Sequence, residues 1–179
     1  MEILVDPLLE TPRMEMRPLS LSDTEAVHAY RGDPEVMRYM GGADTSLDET
    51  REALVRYAAY QRMYGFSRWA MYLKETGELV GDSGLLPIDE LGEFELGYRL
   101  ARNFWSMGLA TECGQAWLEA AFTRYGFRSM IAFADAEHVA SIRVMQKLGM
   151  EFEAKTDLRG MDCVVYRINR GIYPLEPHL

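Results

Sequence analysis

Hydrophobic and polar residues follow two different periods along this chain of 179 residues, and the periods predict which segments are strands and which are helices. Short apolar or alternating runs, typical of strands, occur at residues 14–18, 68–73, 79–86, 94–100, 130–134, 150–155 and 163–168. Apolar residues at helical spacing predict helices from residue 20 or 22 to about 31, and at 34–40, 46–64, 108–122 and 139–148. The pattern therefore predicts a protein that contains both strands and helices.

Small and polar residues mark the ends of several predicted helices. Ser46 is followed three residues later by Glu49, a pair that typically forms a reciprocal capping box at a helix start. Gly65 and Gly149 follow the last periodic residues of two helices, where glycine commonly ends a helix. Pro34 opens a further short helix, because proline is tolerated at the first helical position.

The order of the predicted elements favours a mixed α/β sheet with helices on both faces. Strands of the first half follow one another through short turns, whereas the second half alternates strand, helix, strand, helix and strand. No linker or repeat divides the chain, so we predict one domain over residues 1–179. Residues 1–12 are expected to form a leader, loose or docked on the surface, and residues 171–179 a C-terminal tail.

The composition bears on which classes of function are open to the chain. A net charge of −9 argues against a general nucleic-acid binder, which needs a basic surface. It is compatible with a cationic substrate such as an amine, although solubility alone explains it equally well. Two cysteines and three scattered histidines support neither a disulfide framework nor a metal site. Lacking a signal-like or membrane-spanning apolar run, the chain is expected to be cytoplasmic, with no membrane partner.

The segment from residue 94 to 113 carries the most informative chemistry. A predicted strand leads into a loop with small residues, and a helix opens directly after it. Backbone N–H groups converge at a helix start, and the helix dipole favours negative charge there. The small Gly108 and Ala110 let a pyrophosphate approach the backbone, so the candidate ligands are the N–H groups of Met107, Gly108, Leu109, Ala110 and Thr111. Ordinary turn chemistry is the other interpretation of this segment.

A second segment downstream makes the first more specific. The chain reads E-L-G-Y at residues 95–98, W-S-M-G-L-A-T-E at 105–112 and S-I-R-V-M-Q-K-L-G-M at 141–150. In this order and spacing the motifs resemble the GCN5-related N-acetyltransferases (GNAT), in particular the branch of the RimJ and RimL ribosomal-protein N-terminal acetyltransferases. Together with similar segments at 11–19 and 33–42, the resemblance covers residues 11–168. The branch typically has asparagine where this chain has His138.

The resemblance implies a fold, a cofactor and a reaction. The GNAT fold has a central mixed, largely antiparallel sheet whose middle strands splay apart to admit acetyl-CoA, with helices on both faces. The implied reaction moves an acetyl group from acetyl-CoA to a primary amine by direct attack in a ternary complex. By this resemblance the end of the strand would contact the pantetheine arm, and so would the start of the last helix; the residues concerned are Tyr98, Arg99, Leu100, His138 and Ser141.

Two residues are candidates for the catalytic steps. By the resemblance, Glu95 would take the amine proton through water, and Ser141 would stabilise or protonate the departing thiolate. Surface solvation of Glu95, a local backbone bond of Ser141 and a solvent-exposed His138 remain open alternatives. Glu93 faces the same side as Glu95, with surface solvation favoured. Deprotonating an α-amine at pH 7 costs about 1 kcal/mol and a lysine about 4.5 kcal/mol, which modestly favours α-amines.

The sequence leaves the acceptor open. It could be a protein N-terminal α-amine or a small amine such as a polyamine, an amino acid or an antibiotic, bound near the first two helices and the loop at residues 39–43. The candidate residues of this groove are Tyr30, Arg38, Tyr39 and Met40. A non-catalytic acyl-CoA-binding protein is the alternative function, because His138 and Met145 depart from the usual pattern. The C-terminal tail could pack on a second copy and make a homodimer.

Three further residues have a structural interpretation. Cys113 lies within a helix with no histidine beside it in the sequence, so we expect burial rather than an acyl-enzyme role. Met145 stands where many GNAT enzymes have a tyrosine acid, and we expect it to belong to the core. Trp105 is expected to pack rather than to bind the cofactor.

Overall fold

The computed structural model describes residues 9–173, which contain eight strands and five α-helices. The strands are β1 (Leu9–Glu10), β2 (Met14–Pro18), β3 (Arg68–Leu73), β4 (Leu79–Ile88), β5 (Glu93–Leu100), β6 (Ser129–Asp135), β7 (Glu151–Leu158) and β8 (Met161–Asn169). The helices are α1 (Thr24–Arg31), α2 (Pro34–Met37), α3 (Leu47–Tyr64), α4 (Leu109–Thr123) and α5 (Val139–Lys147). The seven predicted strands are all present, and α2 is three residues shorter than predicted.

One strand was not predicted. β1 covers Leu9–Glu10, inside the segment expected to be a loose or docked leader, and pairs antiparallel with β2. Two residues are too few to show a hydrophobic period, so the sequence pattern could not predict this strand. The rest of the predicted leader, residues 1–8, and most of the predicted tail, residues 174–179, lie outside the described residues.

The strands form one sheet in the order β1-β2-β3-β4-β5-β6-β8-β7. The pairs are antiparallel except for β5 and β6, which are parallel and are in register at a single pair, Glu95 with Ile131. Beyond this pair the two strands separate, and residues 96–99 of β5 and 133–135 of β6 line a cavity between them. The predicted mixed sheet with splayed middle strands is therefore confirmed.

Helices cover both faces of the sheet. Side chains of β5 alternate, so that Leu96 packs with α4 and α5 on one face while Glu95 points to the other. The core on the α4 side includes Trp69 and Trp117, whose rings meet edge to face at 4.9 Å. On the opposite face α1 and α3 pack on β3 and β4 through a second cluster of buried residues. This arrangement leaves the splayed ends of β5 and β6 accessible between the helices.

The helix ends agree with the predicted signals in all but one detail. Gly65 and Gly149 have φ of +79° and +78°, the left-handed conformation expected at a helix end. The Ser46 hydroxyl accepts from the Glu49 N–H at 3.3 Å, as predicted. The second hydrogen bond of the predicted capping box, from the Ser46 N–H to the Glu49 carboxylate, is wrong. The Glu49 carboxylate accepts instead from the N–H and hydroxyl of Thr45 at 2.6 and 2.9 Å.

Candidate active site

Two adjoining cavities open where β5 and β6 separate. The larger has a volume of about 550 Å³ and the smaller about 210 Å³. Six residues line both of them: Tyr39, Met40, Tyr98, Arg99, His138 and Ser141. The larger volume lies within the range of about 300–1,000 Å³ usual for ligand sites, and the smaller falls below it. The geometry therefore suits one large and one small ligand that meet at a shared wall.

Six of the residues predicted to bind the cofactor line the larger cavity, namely Tyr98, Arg99, Leu100, Ala110, His138 and Ser141. Four others, Met107, Gly108, Leu109 and Thr111, are not among its lining residues. The side chain of Leu109 is in the core and only 1% exposed, so this residue offers its backbone alone. The structure thus brings together the pantetheine candidates and places most of the anion-site candidates beside the cavity.

The start of α4 has the geometry that anion binding requires. Gly108 precedes the helix with φ of +79°, a left-handed conformation that favours glycine. The first helical hydrogen bond runs from the Glu112 N–H to the Gly108 carbonyl at 3.1 Å. The N–H groups of the three preceding helical residues, Leu109 to Thr111, therefore have no carbonyl within the helix. They are free to donate to an anion at the helix start.

Hydrogen bonds from two residues near the N-terminal strands, Thr11 and Arg13, hold the loop before α4 and the first turn of that helix. Arg13 donates through Nε to Glu112 at 2.6 Å and through Nη1 to the Met107 carbonyl at 2.8 Å. The Thr11 hydroxyl donates to the same carboxylate at 2.6 Å. Burial alone would raise the pKa of Glu112, but these donors outweigh it and the pKa is lowered. These contacts could not be predicted from local patterns, since the partners are about a hundred residues apart.

Tyr98 and Ser141 form the wall between the two cavities. The Tyr98 hydroxyl lies 3.1 Å from both the carbonyl oxygen and the hydroxyl of Ser141. Burial raises the pKa of Tyr98 above its usual value by more than the hydrogen bond with Ser141 lowers it. Tyr98 therefore stays neutral near pH 7 and keeps its proton to donate.

His138 closes the shared wall from the other side. Its ring stacks on Tyr39 with centroids 4.4 Å apart and planes 18° from parallel. Burial lowers the pKa of His138, although the nearby Asp135 acts in the opposite direction. The imidazole is consequently neutral at pH 7, and the alternative of a freely solvated histidine is wrong.

The smaller cavity contains Glu95, paired with a residue that sequence reasoning missed. Arg68 Nη2 donates to Glu95 Oε1 at 2.7 Å, and Arg68 Nη1 donates to the Gly84 carbonyl at 3.0 Å. Both charged residues are buried, with Arg68 8% and Glu95 5% exposed, so surface solvation of Glu95 is wrong. The one available signal was Gly97, two residues after Glu95 on the same face of β5, which leaves room for a neighbouring side chain.

A second carboxylate lies deep in the same cavity. Asp82 is 1% exposed, and its Oδ2 accepts from the Tyr30 hydroxyl at 2.7 Å and from Arg99 Nη1 at 3.4 Å. Its other oxygen, Oδ1, is buried and has no hydrogen-bond partner among the described residues. Asp82 belongs to none of the sequence motifs described above.

The remaining candidates are Glu93 and the residues of the predicted acceptor groove, and only some of them line the two cavities. Glu93 lies outside both cavities and pairs with Arg167, whose Nη2 is 2.6 Å from Glu93 Oε1. In the predicted acceptor groove, Tyr39 and Met40 line both cavities and Arg38 lines the larger one. Tyr30 does not line either cavity, because it is 2% exposed and turned toward Asp82.

Trp105, Cys113 and Met145 have distinct environments. Trp105 lines the larger cavity and is 43% exposed, so the expectation of simple packing is wrong; its indole N–H donates to the Leu100 carbonyl at 2.8 Å. Cys113 and Met145 are fully buried. Burial also raises the pKa of the Cys113 thiol to about 12, which makes it a poor nucleophile at neutral pH.

Residues 9–173 contain neither a candidate metal cluster nor a candidate membrane-spanning helix. No group of three or more histidine, cysteine, aspartate or glutamate side chains in this range could hold a metal ion. Likewise, no helix in the described part of the chain is both long and apolar enough to cross a membrane.

Comparison with known sequences decides the family. The sequence profile of the acetyltransferase (GNAT) domain matches residues 13–151. The chain belongs to the GNAT acetyltransferase family. It is 34% identical over 147 residues to YkkB of Bacillus subtilis (strain 168), covering 80% of this chain and 85% of that protein. It is 31% identical over 147 residues to the N-acetyltransferase p20 of Bacillus licheniformis, covering 81% and 83%.

Solved structures of GNAT enzymes have the same fold. A GNAT acetyltransferase from Bacillus anthracis superposes with a TM-score of 0.78 at 25% identity, covering 91% of this chain and 98% of that chain. RimL, a ribosomal L7/L12 α-N-protein acetyltransferase in complex with coenzyme A, superposes with a TM-score of 0.76 at 18% identity, covering 91% and 98%. The predicted resemblance is confirmed, and the chain is an acetyl-CoA-dependent N-acetyltransferase that acts on an amine.

Proposed function

We propose that this GNAT enzyme binds acetyl-CoA in the larger cavity and the amine in the smaller one, and that the amine attacks directly in a ternary complex. The observation that carries the proposal is the wall shared by the two cavities, which includes Tyr98 and Ser141. Two ligands seated on either side of this wall meet without an acyl-enzyme intermediate. The buried Cys113, whose thiol is not ionised at neutral pH, agrees with direct attack.

The residues at the larger cavity fit acetyl-CoA. The donors for its pyrophosphate are the N–H groups of the segment before and within the first turn of α4, from Met107, Gly108, Leu109, Ala110 and Thr111. The backbone of β5 from Tyr98 to Leu100 has no ladder partner in β6, so it can hydrogen-bond the amide groups of the pantetheine arm. His138, held against Tyr39, supplies a polar ring at the same wall. When bound, acetyl-CoA supplies the thioester that the amine attacks.

Glu95 is the group we assign to accept the amine proton. It lines the acceptor cavity, and it sits where β5 and β6 begin to separate. Arg68 engages Oε1, which fixes the orientation of the carboxylate. We assign the proton transfer to Oε2, directly or through one water molecule.

Ser141 is the group we assign to the departing thiolate. The neutral Tyr98 hydroxyl donates to the Ser141 carbonyl, which fixes the first turn of α5 and leaves the Ser141 hydroxyl proton available. A thiol with a pKa near 8.5 needs little help to leave near neutral pH, so a hydroxyl is a sufficient donor. Met145, which has no hydroxyl, is not required for this step.

The acceptor in this proposal is a protein N-terminal α-amine or a small-molecule amine. The acidic chain, with its net charge of −9, fits an amine better than a nucleic acid. We further propose a cytoplasmic protein without a membrane partner, and a homodimer as the assembly to look for. A chain that bound acetyl-CoA but acetylated no amine would instead be the non-catalytic alternative.

The test compares two glutamates on the same face of β5. Transfer from labelled acetyl-CoA to a panel of peptides, amino acids, polyamines and aminoglycosides is measured for the wild type, Glu95→Gln and Glu93→Gln. We expect Glu95→Gln to lower kcat by roughly 10²-fold or more, with acetyl-CoA still bound in a titration, because the base is lost. Glu93→Gln lies outside both cavities and is expected to keep wild-type turnover. Unchanged turnover in Glu95→Gln would remove this residue from the mechanism.

A further inference from the structure

The charges that line the smaller cavity are of equal number and opposite sign. Three are guanidinium groups and three are carboxylates: Arg68, Arg99, Arg159, Asp82, Glu95 and Asp135. Arg68 pairs with Glu95 at 2.7 Å, and Arg99 with Asp82 at 3.4 Å. These two pairs neutralise the middle of the cavity, so its remaining charge lies at Arg159 and Asp135.

Arg159 differs from the other two arginines that line this cavity. Its guanidinium has no hydrogen bond or ion pair among residues 9–173, although it lines the cavity. The residue lies in the two-residue turn between β7 and β8, where Arg159 and Gly160 have φ of +57° and +75°. Such a turn has a defined backbone geometry, which holds the exposed Arg159 at the cavity mouth. A guanidinium in this position binds a carboxylate well, since its paired N–H donors match two oxygens.

The buried end of the cavity needs a hydrogen-bond donor from the ligand, whereas Arg159 needs an acceptor. Asp82 Oδ1 is buried without a donor, and a buried oxygen left in this state is unfavourable unless a ligand or water satisfies it. Glu95 and Asp135 are the other two carboxylates that line this cavity. Asp135 Oδ1 accepts from the Glu137 N–H at 2.8 Å, and no cation pairs with it in the described range. An amine that enters this end meets acceptors for its N–H groups.

The cavity volume limits the size of the ligand. A volume of about 210 Å³ lies below the range of about 300–1,000 Å³ that is usual for sites of drug-sized ligands. It accommodates a molecule of the size of a single amino acid.

We infer that the acceptor is a small amino-carboxylate, such as a free α-amino acid, whose carboxylate pairs with Arg159 while its amine points inward toward Asp82 and Glu95. This inference rests on the proposed function, because it places the amine beside the wall formed by Tyr98 and Ser141. A peptide N-terminus has an amide in place of the free carboxylate and would leave Arg159 unpaired. A polyamine would bring a second cation toward Arg159.

The test compares α-amino acids with their carboxamides. For each acid and its amide, kcat/KM is measured with saturating acetyl-CoA in the wild type, Arg159→Asn, Arg159→Lys and Arg56→Gln. Asparagine tolerates the left-handed backbone at position 159, so Arg159→Asn removes the charge without new strain. Arg56 is an exposed arginine on α3 that lines neither cavity, and it serves as the matched control.

The readout is the ratio of kcat/KM for the acid to that for the amide. Comparing this ratio between enzymes cancels the different basicity of the two amines. We expect Arg159→Asn to lower the ratio by roughly 10- to 100-fold, as for loss of a charge-assisted hydrogen bond, and Arg159→Lys to lower it less. Arg56→Gln should leave the ratio unchanged.

Two outcomes overturn the inference, and they differ from failure of the proposed function. An unchanged ratio in Arg159→Asn contradicts the carboxylate contact. Transfer to amides, peptides or polyamines but not to any amino acid contradicts the substrate class while leaving the acetyltransferase mechanism in place. No transfer to any amine of the panel, with acetyl-CoA bound in a titration, contradicts the proposed function as well.

Discussion

Gly97 determines where the partner of Glu95 lies. A Cβ atom at position 97 would be 1.9 Å from Arg68 Nη2, so the guanidinium occupies the space against β5 that a side chain at position 97 would fill. Arg68 then reaches Glu95 and the Gly84 carbonyl at hydrogen-bond distance. The glycine of the E-L-G-Y motif thus has a packing role, since it makes room for the cation that orients the proposed base.

Gly97→Ala is therefore predicted to displace Arg68. We expect a loss of about 1–3 kcal/mol in the free energy of unfolding from overpacking, and a lower kcat because Glu95 loses its partner. Urea unfolding and steady-state kinetics measure the two effects. Gly171→Ala is the control, because a Cβ there meets nothing within 4 Å. If Gly97→Ala kept wild-type stability and kcat, the packing role would be wrong.

Ser141 and Tyr98 can be separated by removing one hydroxyl at a time. Ser141→Ala removes the proposed donor to the thiolate, and we expect kcat to fall roughly tenfold. This is less than the loss of about 10²–10⁴-fold that is usual for a general acid or base, because a thiolate is a good leaving group. Tyr98→Phe keeps the Ser141 hydroxyl and should have the smaller effect on kcat. Neither change should alter the acetyl-CoA dissociation constant more than about threefold in a titration. A larger loss of turnover in Tyr98→Phe than in Ser141→Ala would assign the donor role to Tyr98.

The elements around α4 assemble the anion site from distant parts of the chain. The loop before α4 follows β5, while Arg13 lies just before β2 and bonds both the Met107 carbonyl and Glu112. Arg13 Nη2 would lie 3.5 Å from a Cβ atom on Gly108, so a positive charge stands at the helix start. Its charge also offsets that of Glu112, which would otherwise repel a pyrophosphate.

Arg13→Ala is expected to weaken coenzyme A binding. The change removes a cation from the helix start and leaves the Glu112 carboxylate without its guanidinium partner, and both effects disfavour an anion. We predict a dissociation constant raised roughly tenfold, measured by calorimetric titration with coenzyme A. Lys74→Ala removes another exposed cation, paired with Glu10 at 2.8 Å, and should leave the affinity unchanged. Equal affinities for the wild type and Arg13→Ala would exclude Arg13 from the anion site.

The molecule as a whole depends on carboxylates held in ion pairs. Asp44 is one example: it accepts from Arg31 at 2.6 and 2.9 Å and from the Thr50 hydroxyl at 2.7 Å. Burial alone would raise the pKa of Asp44, but hydrogen bonds from Arg31 and Thr50 outweigh it, and the pKa is lowered from 3.8. The pKa values of Asp23, Glu93 and Glu112 are lowered as well.

These lowered pKa values predict acid sensitivity. A carboxylate whose pKa is lower in the folded state contributes its full stabilisation above the pKa of the unfolded chain, and loses it as the pH falls through the folded pKa. We therefore expect these carboxylates to make the free energy of unfolding fall below about pH 5. Urea unfolding at a series of pH values measures this.

Asp44→Asn tests the assignment to one residue. The variant should lose about 1–3 kcal/mol at pH 7, and its stability should fall less steeply between pH 5 and pH 3 because one titrating group is gone. Asp48→Asn is the control, since the Asp48 side chain is 80% exposed and pairs with Arg51 alone. A pH dependence in Asp44→Asn as steep as in the wild type would contradict the role of Asp44.

Sequence alone determined the elements of this protein and the residues that its motifs name. The periods of β5 and α4 and the glycine at 108 follow from patterns within a few residues, because local backbone preferences and amphipathic faces are local properties. The placing of Tyr98, His138 and Ser141 at one site was implied by the resemblance to the GNAT family. The alternation along β5 likewise put Glu93 and Glu95 on one face.

Tertiary structure decided the partners. Arg68 meets Glu95 across 27 residues and Arg13 meets Glu112 across 99, and these contacts depend on strand register and on the packing of α4 against the sheet. Tertiary structure likewise decided that Glu49 bonds Thr45 and that Asp82 pairs with Arg99. It also decided that Glu93 lies outside both cavities. Register and packing are set by the whole core at once, so no segment read by itself contains them.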